Sequence, residues 1–266
     1  MAIYTVDESQ RKAAKVVGAM YLFGFVAVFD ELYVRGRLII DNNAADTARN
    51  IIAHETLFRL GIAVDLIEMA SMVVLLTALY VVLKPVNQSL ALLAAFWRLM
   101  EAAICVVMTL SSFDVLRVLS SADYMRVFQA DQLRALTSIY LGAHGAGYNV
   151  AEIFLGLGST VFGYLWFKSR YIPRVLAAWG VFSSLLVATC TFASVIFPSF
   201  QDITFPVCYL PIAIFELTMG FWLLIKGLRQ PNQPSAPGSR PGSGRLPGRN
   251  AWKTAGMFPT PDRDDS

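Results

Sequence analysis

Six apolar segments, each long enough to cross a lipid bilayer, constrain this chain more than any other feature. A helix rises 1.5 Å per residue, so about 20 residues cross ~30 Å of hydrocarbon. Segments of that length fall at about 13–34, 58–83, 89–115, 136–167, 173–197 and 206–227. Val175 to Phe200 contains no charged residue, and neither does Met69 to Leu83. Strands of an outer-membrane barrel alternate over ~10 residues, which these runs do not. In lipid every backbone polar group must be satisfied within its own segment, and a helix does this. The expected fold is all-α: a polytopic transmembrane helix bundle of six spans. Composition agrees, since charged residues are only 15% of the chain, against roughly 25% in a soluble domain.

The segment ends are punctuated. Pro85, Pro173 and Pro198 fall at ends, whereas Pro211 lies inside the last segment and is expected to kink it. Arg11, Lys12 and Lys15 precede an apolar run from Val16 to Phe29, as in a signal peptide. That run ends Val28-Phe29-Asp30-Glu31, without the small residues a cleavage site needs, and reads as an uncleaved first span. Residues 41–57 and 121–134 have helical spacing, with Asp41 and Ser121 as N-caps. Tyr124 and Phe128 share a face there and suit an interfacial helix. From Pro231 to Ser266 the chain is rich in Pro, Gly and Ser. The expected organisation is a six-helix membrane domain over 1–230 and a disordered tail over 231–266.

Orientation follows Lys and Arg near segment ends. Nine such residues, from Arg11 to Arg229, collect on the side of the termini, and seven, from Arg35 to Arg134, on the other. Both termini are therefore expected in the cytoplasm. The even-numbered spans repeat one ending: Tyr80 with Lys84, Tyr164 with Lys168, and Trp222 with Lys226. An aromatic ring one turn before a snorkelling lysine is an interface anchor. The expected partner is thus the lipid bilayer. Net charge is +3 with no basic face, which speaks against nucleic acid.

Cys105, Cys190 and Cys208 sit in apolar runs without metal-ligand spacing and read as small buried hydrophobes. A bond between Cys190 and Cys208, near one membrane face, stays open as an alternative.

Ionisable residues inside the spans carry the functional information, because each costs ~2.5–3.5 kcal/mol at mid-membrane. Asp65 and Glu68 share a face of the second span, and Arg98 and Glu101 share one of the third. His144, Tyr148 and Glu152 run at four-residue intervals along the fourth, beside the small residues Ala143, Gly147 and Ala151. Glu216 lies in the sixth. Counted from the segment ends, Glu68, Glu101, His144 and Glu216 all fall about 12–18 Å deep, near mid-membrane. Asp30, Glu31 and Asp114 reach the outer interface instead. Two readings stay open. In one, Arg98 neutralises a neighbouring glutamate and the other groups are interhelical glue. In the other, the excess of acid over Arg98 and His144 lines a path for a proton or a small cationic solute.

No HExxH, GxSxG, P-loop or CxxCH pattern is present, so no catalytic residue is assigned. A haem centre wants paired intramembrane histidines, and His54 lies in a connection. No metal or other cofactor is expected. A metal-dependent intramembrane enzyme using His144 is a third reading.

Several stretches resemble a bacterial integral-membrane family, number 4386 among the domains of unknown function. They are Phe58-Arg59-Leu60-Gly61, then Lys84-Pro85-Val86-Asn87 leading to Leu90 through Phe96, and Arg98 with Glu101. His144 follows, then Gly163-Tyr164-Leu165 through Ser169 to Pro173-Arg174-Val175-Leu176. The resemblance covers most of 12–228. It implies six or seven spans in a bacterial inner membrane and supplies no activity. A histidine that often follows Gly-Leu in the fourth span of this family is replaced here by Gly158 and Ser159 after Gly156-Leu157.

Overall fold

The structure, a computed structural model, describes residues 6–40, 43–120, 129–197 and 205–230. Every regular element among them is helical. Of the expected interfacial helix over 121–134, residues 121–128 lie outside the described residues and 130–134 open the long helix Ala130–Ser169; the tail at 231–266 also lies outside the described residues.

The first span is a relay of helices. α1 covers Glu8–Phe23, α2 Phe25–Asp30 and α3 Gly36–Leu38, with a π-helical turn at Glu31–Arg35 between the last two. α4 is Ala44–Ala53, α5 Glu55–Leu83, α6 Gln88–Ser120, α7 Ala130–Ser169, α8 Arg174–Ile196 and α9 Leu210–Ile225, the last preceded by a π turn at Phe205–Tyr209. Six stretches are long and apolar enough to cross a membrane: Glu8–Leu38, Glu55–Leu83, Gln88–Ser120, Asp131–Ser169, Arg174–Ile196 and Val207–Ile225. These are the six expected from hydropathy, and the chain is a multi-pass membrane protein.

Capping sets the ends. Asp7 accepts from the Gln10 backbone at 2.7 Å and the Gln10 side chain accepts from the Asp7 amide at 3.0 Å, a capping box that starts α1. Asn43 caps α4 by accepting from the Asp46 amide, and Asp41, the expected cap, lies outside the described residues. Arg170, in the left-handed region at φ 59°, closes α7. One expectation is corrected here. Pro211 falls in the first turn of α9, where its missing N–H has no intrahelical partner to lose, so it breaks no helix interior. α7 runs unbroken through Gly142, Gly145 and Gly147.

Short connections make consecutive spans neighbours. α1 packs on α5, α5 on α6, α6 on α7, α7 on α8, α8 on α9, and α9 returns to α1. The six spans thus form a closed ring in chain order. Between α1 and α9 the backbones nearly touch: a Cβ at Gly18 would lie 2.9 Å from the Gly220 carbonyl oxygen. Outward-facing side chains are large and apolar throughout, among them Val107, Ile139, Val175 and Ile225, each more than 60% exposed. That surface suits acyl chains rather than water.

The end carrying the start of α1 and the finish of α9 is here the terminal end, and the opposite end is distal. The terminal half is one apolar core, built around Val17, Leu79, Leu83, Leu165, Trp166 and Leu223. The distal half has two cores. Val34, Leu38, Ile51, Phe58, Val115 and Leu116 pack together, apart from Val187, Cys208 and Ile212.

A polar cluster inside the ring

Arg98 is the hub. Its stem needs room where α6 meets α7, and Gly158 supplies it: a Cβ there would lie 2.6 Å from Arg98 Cγ. The guanidinium pairs with Glu101 on its own helix at 2.7 Å. Its other terminal nitrogen donates to the Met72 sulfur of α5 at 3.1 Å. Arg98 and Glu101 are 3% and 5% exposed, so this is a desolvated pair. Such a pair stands only if its partners stay in place.

Further groups face the hub from other helices. Arg98 interacts electrostatically with Glu216 of α9, Glu152 of α7 and Tyr21 of α1. Glu68 of α5 faces both Glu101 and Glu152. Glu152 is buried and hydrogen-bonded to Tyr148, one turn before it. The Oε2 oxygen of that carboxyl is buried with no hydrogen-bond partner among the described residues. Three carboxyl groups from three helices, Glu101, Glu152 and Glu216, therefore act on one guanidinium, and Glu68 from a fourth acts on two of those carboxyls.

Depth orders these groups. Glu68 and Glu152 each lie sixteen residues before the lysine that ends their helix, Lys84 or Lys168, and Glu216 lies ten before Lys226. At 1.5 Å per residue these are about 24, 24 and 15 Å from the terminal end. The Lys84 ammonium sits 5.9 Å from the Tyr80 ring centroid, and Arg229, rather than Lys226, covers Trp222 at 4.9 Å. The Tyr164 ring is exposed beside Lys168.

Two residues expected in the cluster stand elsewhere. Asp65 is ion-paired with Arg35 at 2.5 Å. It lies nineteen residues before Lys84, about 29 Å along α5, level with the π turn that carries Arg35. Spacing put Asp65 beside Glu68, but one helical turn brings it within reach of a different cation. His144 lies twenty-four residues before Lys168. That is about 36 Å, beyond ~30 Å of hydrocarbon, on a helix longer than its hydropathy window. Its Nδ1 is 3.4 Å from the Met108 carbonyl oxygen of α6. Tyr148, 41% exposed, marks the distal rim of the cluster.

Sequence reasoning missed Tyr21, Met72, Gly158, Thr191 and Tyr209. None is charged, so none stood out against an apolar background. Tyr209 is hydrogen-bonded to Thr191, and its ring lies 6.3 Å from that of Tyr148. Cys190 and Cys208 are joined in a disulfide with their Cα atoms 6.6 Å apart. This corrects the reading of both as buried thiols. Two surface depressions, one lined by Gln132, Leu136 and Ile139 and one of about 410 Å³ by Arg59, Phe113 and Arg117, include no cluster residue. No three His, Cys, Asp or Glu side chains among the described residues are grouped to hold a metal ion.

A family model described as Domain of unknown function (DUF4386) matches residues 16–227. The chain belongs to this family. The match begins within the first span and takes in the other five spans and every cluster residue. No curated protein and no solved structure matches the chain. For this DUF4386 protein the buried charges carry the functional argument.

Proposed function

We propose that this protein is a proton-coupled carrier of a small solute, working through the cluster around Arg98. One observation carries the reading: Glu101, Glu152 and Glu216 bear on a single buried guanidinium, and Glu68 bears on two of those three carboxyls. One cation balances one carboxylate. Desolvated carboxyl groups in excess call for protons or a bound cation, because an uncompensated buried charge costs several kcal/mol. A group of acids that must hold protons within a membrane is also one that can trade them. Glu101, touching the hub, is the residue whose protonation would free or trap Arg98.

The setting we propose is a bacterial inner membrane with both termini cytoplasmic. Lys84, Lys168 and Lys226 at the terminal end support this through the preference of Lys and Arg for the cytoplasmic side. The disulfide at the distal end supports it too, since disulfides persist in oxidising compartments such as the periplasm. Residues 1–230 are then the membrane domain and 231–266 a cytoplasmic tail.

A second reading has its own support. The Arg98 stem is tightly seated over Gly158, as a structural rivet would be. In that reading the charges bind helices together and the protein is a scaffold or partner subunit.

The test is proton movement in reconstituted vesicles carrying a pH-sensitive dye, over a panel of small cationic and neutral solutes. The carrier reading expects a solute-dependent pH change that Glu101→Gln abolishes, with the bundle still folded. No such change with the unaltered protein overturns that reading in favour of the scaffold.

A further inference from the structure

The distal half of the ring holds a second arrangement that the charged cluster alone does not explain. Glu152 lies toward the distal rim, level with Glu68, and its unpartnered Oε2 is fully enclosed. On its distal side Tyr148 is bonded to it, and Tyr209 stacks near Tyr148 and is hydrogen-bonded in turn to Thr191. Thr191 also donates to the Val187 carbonyl at 2.8 Å. By the same reckoning from the terminal end, Tyr148 and Tyr209 lie twenty and seventeen residues from Lys168 and Lys226. That is about 30 and 26 Å, at the far edge of the hydrocarbon. The Tyr148 hydroxyl thus leads from that edge to a buried carboxyl, with the Tyr209 ring packed beside it.

The disulfide sits against this path. Cys190 precedes Thr191 and Cys208 precedes Tyr209, so the covalent bridge joins the same two backbones that the Tyr209–Thr191 hydrogen bond joins. Tyr209 ends a π-helical turn and so begins no regular helix of its own. The bridge fixes where that turn lies against α8. The two apolar cores of the distal half are separate, while the terminal half is closed by one continuous core.

We propose that Tyr148, held in place by Tyr209 and the Cys190–Cys208 bridge, is the outer link through which the carboxyl cluster exchanges protons with the distal compartment. Glu152 follows it. The proposal rests on the proton-exchange reading above and adds a direction to it: access from the distal side, with the terminal side sealed. Glu152 hands its proton on within a field set by Arg98, Glu101 and Cys105 of α6, Glu68 of α5, and Glu216 of α9. Tyr209 is a positioning residue. Anchored to Thr191, it packs against the Tyr148 ring and so fixes the hydroxyl that meets Glu152, and it touches no solute.

The experiment follows carboxyl protonation by its infrared carbonyl band in full-length protein, reconstituted in vesicles of known orientation, after a pH jump on one side. The expected result is fast exchange from the distal side and slow exchange from the terminal side. Tyr209→Phe keeps the ring and removes the hydroxyl, and should slow distal exchange roughly 10- to 100-fold, as small misplacements of reacting groups do. It should leave the pH midpoint of the band in place. Cys190→Ser/Cys208→Ser should slow it as well, and a phosphine reductant should slow the unaltered protein but not the double variant. Tyr164→Phe, at the other face, should change nothing. The reductant acts on protein already folded, so a variant that fails to fold does not remove the test. If distal exchange is unchanged in Tyr209→Phe and after reduction, or if both sides exchange equally, the inference is overturned. If no carboxyl band of the unaltered protein responds to pH, the proton-exchange reading itself fails, a different outcome.

Discussion

The terminal and distal halves of the ring solve one problem in two ways. At the terminal end the spans share one core, and its polar contacts are locks. The buried Gln10 amide donates to the Val82 carbonyl at 2.9 Å and to the Tyr171 hydroxyl at 3.3 Å. The Arg229 amide donates to the Tyr171 carbonyl at 2.8 Å, tying the end of α9 to the α7–α8 turn. At the distal end the core is divided, helices give way to π turns, and the ties are the Arg35–Asp65 ion pair and a disulfide. Lipid is as apolar as leucine, so apolar area alone does not hold spans together. Close packing does so in one half, and a few strong links do so in the other. The carboxyl cluster lies where these regimes meet.

The sharpest way to break that comparison is at the hub. Arg98→Ala leaves Glu101 buried without its cation, and should destabilise the bundle by roughly 3–5 kcal/mol. Adding Glu101→Gln removes the stranded charge and should recover most of the loss. Thermal unfolding in nanodiscs measures both. Full stability in Arg98→Ala would mean that the cluster is wet, and the distinction between a sealed and an open half would fall.

Packing comes next. Leu79, 1% exposed, belongs to the continuous core, and Ile212 to the smallest distal one. Truncation to alanine in lipid loses packing and leaves a cavity, without the transfer contribution of a soluble core. Leu79→Ala should cost about 2 kcal/mol and Ile212→Ala about half of that. Equal costs would show that the two halves are packed alike. Gly158→Ala puts a methyl into the Arg98 stem and close to the Ala94 carbonyl oxygen, and should cost about 1–3 kcal/mol. Gly142→Ala, with nothing within 4 Å of its Cβ, should be neutral or stabilising by up to about 1 kcal/mol. The same unfolding assay ranks all four.

This division also explains what could be read from residues alone. The spans were legible because hydrocarbon thickness imposes a length, and Leu83, Gln88, Ser169 and Arg174 end or begin helices close to the expected boundaries. Arg98 and Glu101 were legible because three-residue spacing fixes a helix face. Partners across helices were not. Asp65 has the same spacing to Glu68, yet its cation is Arg35, which lies just past the expected end of the first span, in a π turn that hydropathy does not register. His144 was placed too deep because a hydropathy window ends where apolarity ends, while α7 continues past it. Tyr209 carries no charge, and only its place next to Cys208 sets it apart.

The smallest expected loss of stability is that of the disulfide, and it tests whether covalent ties replace packing in the distal half. Under denaturing alkylation the unreduced protein should take up one label, at Cys105, and three after reduction, because the chain has three cysteines and two are joined. Three labels without reduction would remove the bridge. For a soluble chain, closing a loop of ~15 residues contributes about 3 kcal/mol by constraining the unfolded state. Here α8 and α9 stay helical in lipid even when the bundle comes apart, so there is less freedom for the bridge to remove. Cys190→Ser/Cys208→Ser should therefore cost under about 1 kcal/mol of stability. A loss as large as that of Leu79→Ala would mean that the bridge holds the distal half together mechanically, and its influence on proton exchange would then follow from general loosening rather than from the position of Tyr209.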